Sequence, residues 1–517
     1  MNPWIYSRVF LYLDKYKEQH MMRFIFLAIL SILIFTKSYS QTFELDFSKD
    51  IKVKNRYAIK GFVNSDNLIL GPFVDGKKFS NKLISSDTKG NLKEFDIEFP
   101  KEKGTQPKFI SVDDKILSFC YIKDKKKRAL DLYCNFYNDR GSIKTSKVIY
   151  TVTYADYEDE PLLRVSLSDN KDYVLVLNIF DNNDKKKDLI INGLVFDKDI
   201  NQLSKFTHKK DKNRSQKLNG LNDFDISNEG IVHMLMMEYN DKLKDEVKKN
   251  GVKVPNYFYT LYSYNLDGTH SHDDILFKDY FPIHTALFLN ADQEPNVIMD
   301  LREKPNSQEL CIGFQTLIKK NDGILTKHRY MFDQSDFSAM GMVDKYNSKF
   351  FEFGNFLILD DAIHFVYQSV FFVTKRSGEM IYRERVSGSS VVFDLTNDGE
   401  IVDYTFIPKF NVTGVNGRSC KLMPYRNSYA MLYIDRTKNL ERDLSEFRKY
   451  SSKMVLSKKT SKVLAYRNEN NVLERKELKK LKDYYLYLHN YSLDKDGTVT
   501  LAAKDGKKLS FISFKGS

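Results

Sequence analysis

The chain has 517 residues, is 42% hydrophobic and 14% aromatic, and carries a formal net charge of +12. With 38 Phe, 32 Tyr and only 11 Pro, the composition favours strands and leaves little room for a disordered linker. Its four cysteines form no C-x-x-C pair, which removes a structural zinc module or a dithiol redox motif.

Taken in chain order, Met1–His20 precede a second start, Met21-Met22, and have no targeting order of their own; they read as an over-extended N-terminus. Met21–Ser40 reads as a secretory signal. Arg23 supplies positive charge, Phe24–Phe35 (FIFLAILSILIF) is an apolar run shorter than the roughly 20 residues of a membrane span, and Ser38 and Ser40 place small residues before Gln41. Export to the periplasm, cell surface or medium is therefore expected. No integral membrane span is expected after removal of the signal. From residue 41 onward the net charge falls to +9. The excess sits in lysine-rich turns such as Lys123–Arg128, Asp184–Asp188 and His208–Arg214, and so reads as dispersed rather than gathered in one groove. No nucleic-acid partner is expected on that basis; a protein, a glycan or an anionic envelope component is.

Residues 41–517 repeat one pattern. An apolar hairpin recurs, as in FISVDDKILSFCYIKD from Phe109, VSLSDNKDYVLVLNIFD from Val165 and FLILDDAIHFVYQSVFFV from Phe356. A more polar hairpin with an Asp-Gly or Asn-Asp-Gly turn follows most of them, as in LYSYNLDGTHSHDDILF from Leu261. Two such hairpins make a four-stranded unit that cannot bury its own faces, and stacking the units in a ring solves this. Units start near Tyr57, Phe109, Val165, Phe224, Ala286, Phe356, Leu422 and Tyr484. The fold class expected is all-β: a single β-propeller of seven or eight four-stranded blades with short helical insertions, packed β-sandwiches being the alternative. The last unit shows only three strand-like runs, and TFELDF at Thr42–Phe47 is expected to supply the fourth and close the ring. Helices are expected over Asp241–Asn250 and over Asn439–Lys453, where Leu440, Leu444 and Phe447 share a face. A third is expected over Asn470–Leu481.

Chemistry-bearing motifs are few. Cys120 and Cys134 flank a lysine-rich turn; a hairpin centred on Lys127 sets them opposite each other, so a disulfide is a candidate in an oxidising compartment. His270, His272 and Asp274 in THSHDD alternate onto one strand face and are the best metal candidates, although an exposed polar edge is the better reading and no metal is assigned. The carboxylate pairs Asp113-Asp114 and Asp360-Asp361 read as turn residues, and Glu158-Asp159-Glu160 lies in a tyrosine-bearing loop. No catalytic residue is assigned, no cofactor is implied, and Ser387-Gly388-Ser389 lacks the flanks of a nucleophile elbow.

SLDKDGTV at Ser492–Val499 is similar to the S-x-D-x-G-x-x-W turn of sialidase-type propellers. It departs from it in that Asp496 stands where the glycine belongs and no Trp follows. The Ser38–Gln41 cleavage region and the Lys/Asn/Phe/Tyr-rich hairpins resemble uncharacterised exported proteins of Bacteroidota-type bacteria. That resemblance implies an exported protein and transfers no site residue. Two functions follow as expectations: a non-catalytic binding or scaffold protein acting through loops on the propeller rim, or a polysaccharide- or peptide-acting hydrolase with its site at the central channel.

Overall fold

In the computed structural model, residues 44–515 are described apart from 54–58, 76–77, 99–106, 114, 125, 127, 154–160, 181–188, 211–220, 241–244, 306–310, 324, 340–350, 361, 378–379, 410, 413–419, 427, 441–459, 468–471 and 495. The segments assigned above to the over-extended start and the signal lie outside these residues, as does Glu158-Asp159-Glu160.

Eight antiparallel four-stranded sheets follow one another along the chain, seven with their strands in sequence order from first to last and the eighth joining three C-terminal strands to the N-terminal one. The first strands are Ile59–Asn64, Lys108–Val112, Leu162–Leu167, Leu221–Ile226, Phe281–Leu289, Phe351–Ile358, Cys420–Tyr425 and Tyr485–Leu493. Each contacts the first strands of both neighbouring sheets, the eighth meeting the first, so they form the closed inner ring of an eight-bladed β-propeller.

Second strands are the apolar ones because they are sandwiched between neighbouring blades. Pro295–Arg302, for example, is buried along its whole length. Eight hydrophobic clusters fill the eight junctions. That between blades 5 and 6 is built on phenylalanine, with Phe314 lying 5.3 Å from Phe365 and 5.0 Å from Phe393, both edge to face. Such geometry suits the ring quadrupoles and fills a junction that has no Trp.

The N-terminal strand closes the circle as its pattern implied. Glu44–Phe47 pairs antiparallel with Lys508–Lys515, from Glu44 opposite Lys515 to Phe47 opposite Ile512, and Ile51–Lys52 continues the ladder against Leu509 and Lys508. Leu45 and Phe47 pack on the cluster between blades 7 and 8.

Two of the three expected helices are strands instead. Within Asp241–Asn250, Glu246–Lys249 pairs with Val252–Pro255 in a separate hairpin. Asn250 and Gly251 take φ of 50° and 82°, the two-residue Asn-Gly turn that selects a hairpin over a helix. Within Asn470–Leu481, Leu473–Glu477 is the fourth strand of blade 7, and only Lys479–Leu481 is helical, as a 3-10 turn. Of Asn439–Lys453, the structure describes the start alone, where a short helix spans Thr437–Leu440. No helix among the described residues is long and apolar enough to cross a membrane.

Candidate functional site

Because strands alternate in direction, the links between first and second strands and between third and fourth strands lie at one end of every blade. Links between second and third strands, and between blades, lie at the other. The first end is closed by tight turns. In the turn at Asn265, Gly268 donates its amide to the Asn265 carbonyl at 3.1 Å and Asn265 donates to the Thr269 carbonyl at 2.9 Å, with Gly268 at φ +85°. The same bonding recurs at Asp87, Asn138, Asp197, Thr396 and Asp494. At the opposite end stand the Glu246–Pro255 hairpin, the Thr437–Leu440 helix and a long ribbon. The second and third strands of blade 6, Ala362–Ser377 and Met380–Thr396, stay paired eight residues past Gln368. The ribbon therefore projects about 25 Å beyond the sheet at ~3.3 Å per residue, carrying Lys375, Arg376, Arg383 and Arg385. Asn411–Val412 braces its base.

Charged side chains stand at both ends. The tight turns hold Asp87, Asp169, Asp267, Asp292, Asp398 and Asp496 together with Lys89, Lys171 and Lys198, which have no ion pair among the described residues, and other lysines near them are paired. Lys115 meets Asp199 at 2.8 Å, Lys515 meets Asp496 at 3.0 Å, and Lys320 meets Asp398. Hydrogen bonding from Lys515 and Thr498 brings the Asp496 carboxyl down to about 2. At the loop end, exposed Lys479, Lys480, Lys482 and Lys507 have no ion pair among the described residues.

The most chemically loaded side chains also lie at the loop end. A bulge between Pro282 and Thr285 in the first strand of blade 5 turns the Ile283 and His284 amides onto Asp300 Oδ1, at 3.0 and 2.8 Å. His284 Nδ1 donates to Asp300 Oδ2 at 2.8 Å; Arg302 Nη2 donates to the same oxygen at 2.7 Å, and the Tyr367 hydroxyl donates to it at 2.9 Å. Burial alone would push the Asp300 carboxyl up, but the His284 bond and the Arg302 charge hold it well below the usual range. Asp300 and Arg302 have no side-chain exposure, whereas that of His284 is 32%. The carboxylate thus fixes the imidazole tautomer, and Nε2 remains as a proton acceptor with no partner among the described residues. This arrangement can orient a general base, and it also ties blade 5 to blade 6. Sequence reasoning missed it; the one available signal was an opposite-charge pair, Asp300 and Arg302, inside the apolar run VIMDLR.

The residues singled out from sequence are not brought together. His270, His272 and Asp274 share the exposed outer strand of blade 4, but each is engaged along the strand. His270 stacks on Tyr264 with centroids 5.3 Å apart, His272 lies 5.8 Å from Tyr262, and Asp274 accepts from Thr260 Oγ1 at 2.9 Å. Among the described residues, no three His, Cys, Asp or Glu side chains converge on a point. The Cys120–Cys134 expectation is corrected by register: Cys120 faces Tyr133 and Cys134 faces Phe119, so the two thiols point to opposite faces of blade 2 and are free. The hairpin is centred between Lys126 and Lys127, half a residue from the assumed position, and that shift separates the faces. Burial raises Cys120 to about 11 and Cys134 to about 12. Asp113 and Asp360 sit in first-to-second-strand turns, as turn chemistry implied. SLDKDGTV forms the corresponding turn of blade 8, with Gly497 at φ +79°.

No protein-family model and no curated protein matches the chain. Solved structures similar to it include a GH32 beta-fructofuranosidase of Bombyx mori, 13% identical with a TM-score of 0.28, covering 92% of this chain and 94% of that one. The polysaccharide lyase Uly1 is 10% identical with a TM-score of 0.34, over 91% of this chain and 99% of the other. A puromycin hydrolase mutant is 8% identical with a TM-score of 0.36, over 74% of this chain and 52% of that one. At these scores none of them bears on what the present chain binds.

Proposed function

We propose that the chain is an exported, non-catalytic binding protein of the bacterial envelope that recognises a protein or glycan with the loop end of its propeller. The observation that carries this reading is the asymmetry of the ring. Among the described residues, the links at one end are short turns, while the blade 6 ribbon and the Glu246–Pro255 hairpin extend from the other. Loops on a rigid scaffold are where recognition is usually placed, since they vary without disturbing the core. The test replaces residues 371–386 by a two-residue turn and compares capture from native envelope extracts by the shortened and the full protein. A partner retained by the full protein and lost by the shortened one, at unchanged melting temperature, supports the reading. Identical capture by both sinks the ribbon's role.

The His284–Asp300 pair favours a second reading, a hydrolase acting on polysaccharide or peptide. It predicts turnover that His284→Ala abolishes. A screen of both substrate classes in which wild type and His284→Ala are equally inert removes it.

A further inference from the structure

Among the described residues, Tyr485 is the only phenylalanine or tyrosine that is exposed, with 59% of its surface open. It begins the first strand of blade 8 at the loop end, and Tyr487, two residues on, lies edge to face with it at 4.9 Å between centroids. An exposed tyrosine is ordinary by itself; its surroundings are not. Lys479, Lys480 and Lys482 occupy the 3-10 segment just before it. Lys504 lies opposite it in the ladder, Lys507 occupies the next turn, and Lys508 pairs across the ladder with Lys52. Nearby Asp50 neutralises Lys508 at 3.3 Å, and Asp483 and Asp505 are also exposed there. Lys479, Lys480, Lys482, Lys507 and Lys52 nonetheless have no ion pair among the described residues and are gathered around the one ring.

Resting on the loop-end reading above, we infer that this corner of blade 8 binds an acidic polysaccharide, with a sugar ring stacked on Tyr485 and its carboxylates or sulfates met by the surrounding ammonium groups. A flat ring among flexible cations offers both halves of such a ligand. The apolar face of a pyranose covers the tyrosine, and hydrated point charges accept anions without demanding one orientation. Single-stranded nucleic acid is served less well, because it calls for a succession of stacking rings along a groove, and here one exposed ring stands at the end of a strand.

The experiment measures binding of the full protein to polygalacturonate, heparin, neutral dextran and oligo(dT) at two salt concentrations. Polygalacturonate or heparin is expected to bind more tightly than dextran and oligo(dT), and to weaken with salt. Tyr485→Ala is expected to lower affinity about tenfold, and Lys479→Glu/Lys480→Glu/Lys482→Glu to abolish binding, both at unchanged melting temperature because the positions are exposed. Lys198→Glu, at a tight turn, is expected to leave binding intact. Tightest binding of oligo(dT), equal binding of dextran, or no binding to any of the four overturns the inference. So does acidic-polysaccharide binding that survives the blade 8 substitutions and is lost on shortening the blade 6 ribbon; that result leaves the loop-end reading standing. Binding lost only through Lys198→Glu removes both.

Discussion

Asp300 shows how much one buried residue can hold. It takes hydrogen bonds from two backbone amides, an imidazole, a guanidinium and a phenol, and it neutralises Arg302 where neither reaches water. Removing one partner of such a pair leaves an uncompensated charge, so Asp300→Asn is expected to cost about 3–5 kcal/mol in urea unfolding; an unchanged midpoint would show that Arg302 finds solvent. A second carboxylate gives a pH dependence. Burial, with repulsion from Asp169 and Asp223, raises Asp225 to about 7. The folded chain thus holds a proton on Asp225 that the unfolded chain has already released, and stability from this group falls as pH rises from about 4 to about 7. Wild type is expected to lose on the order of a few kcal/mol across that window relative to Asp225→Asn, read as the difference between their urea midpoints. Neither residue was legible as a site. Asp300 and Arg302 are visible as charges in an apolar strand, but their meeting with His284 depends on a bulge that no local pattern signals.

Strands were legible to a degree that helices were not. Alternating apolar runs and Asp-Gly turns located every blade, because period-two burial and positive φ leave marks in the sequence. The Glu246–Pro255 hairpin was misread because its lysine- and glutamate-rich composition suits a helix, while the Asn250-Gly251 turn that decides the matter is only two residues long. Cys120 and Cys134 were misread by half a residue of register, which turns an opposed pair into residues on opposite faces. One consequence is measurable. With thiols raised to about 11 and 12 and buried, neither is expected to react with a disulfide reagent at pH 8 in the native protein. In denaturant without reductant all four cysteines are expected to titrate; two missing thiols would contradict the register.

Across the whole molecule, the ring was legible because a blade that cannot bury its own faces implies neighbours on both sides. Blade number stayed at seven or eight in the sequence even with Thr42–Phe47 in the place of the missing strand, and the structure has eight. What the sequence concealed was which turns share an end of the ring, since that is settled only when the strands are laid antiparallel. The closing strand carries Leu45, Phe47 and Ile51 into the junctions of blade 8. At about 1.5–3 kcal/mol for each apolar side chain fully buried, and less for these partly buried ones, deleting residues 44–52 is expected to cost on the order of 5 kcal/mol. Thermal melting checks this against the shortened blade 6 ribbon, whose loss is expected to cost little. Equal losses would mean that the ring holds without its clasp.

That clasp also sets a direction. Glu44 lies opposite Lys515, and both are at the tight-turn end, where the third strand of blade 8 finishes. Chain running into Glu44 and out of Lys515 thus meets the ring on its close-cropped side, on the opposite face from the ribbon and Tyr485.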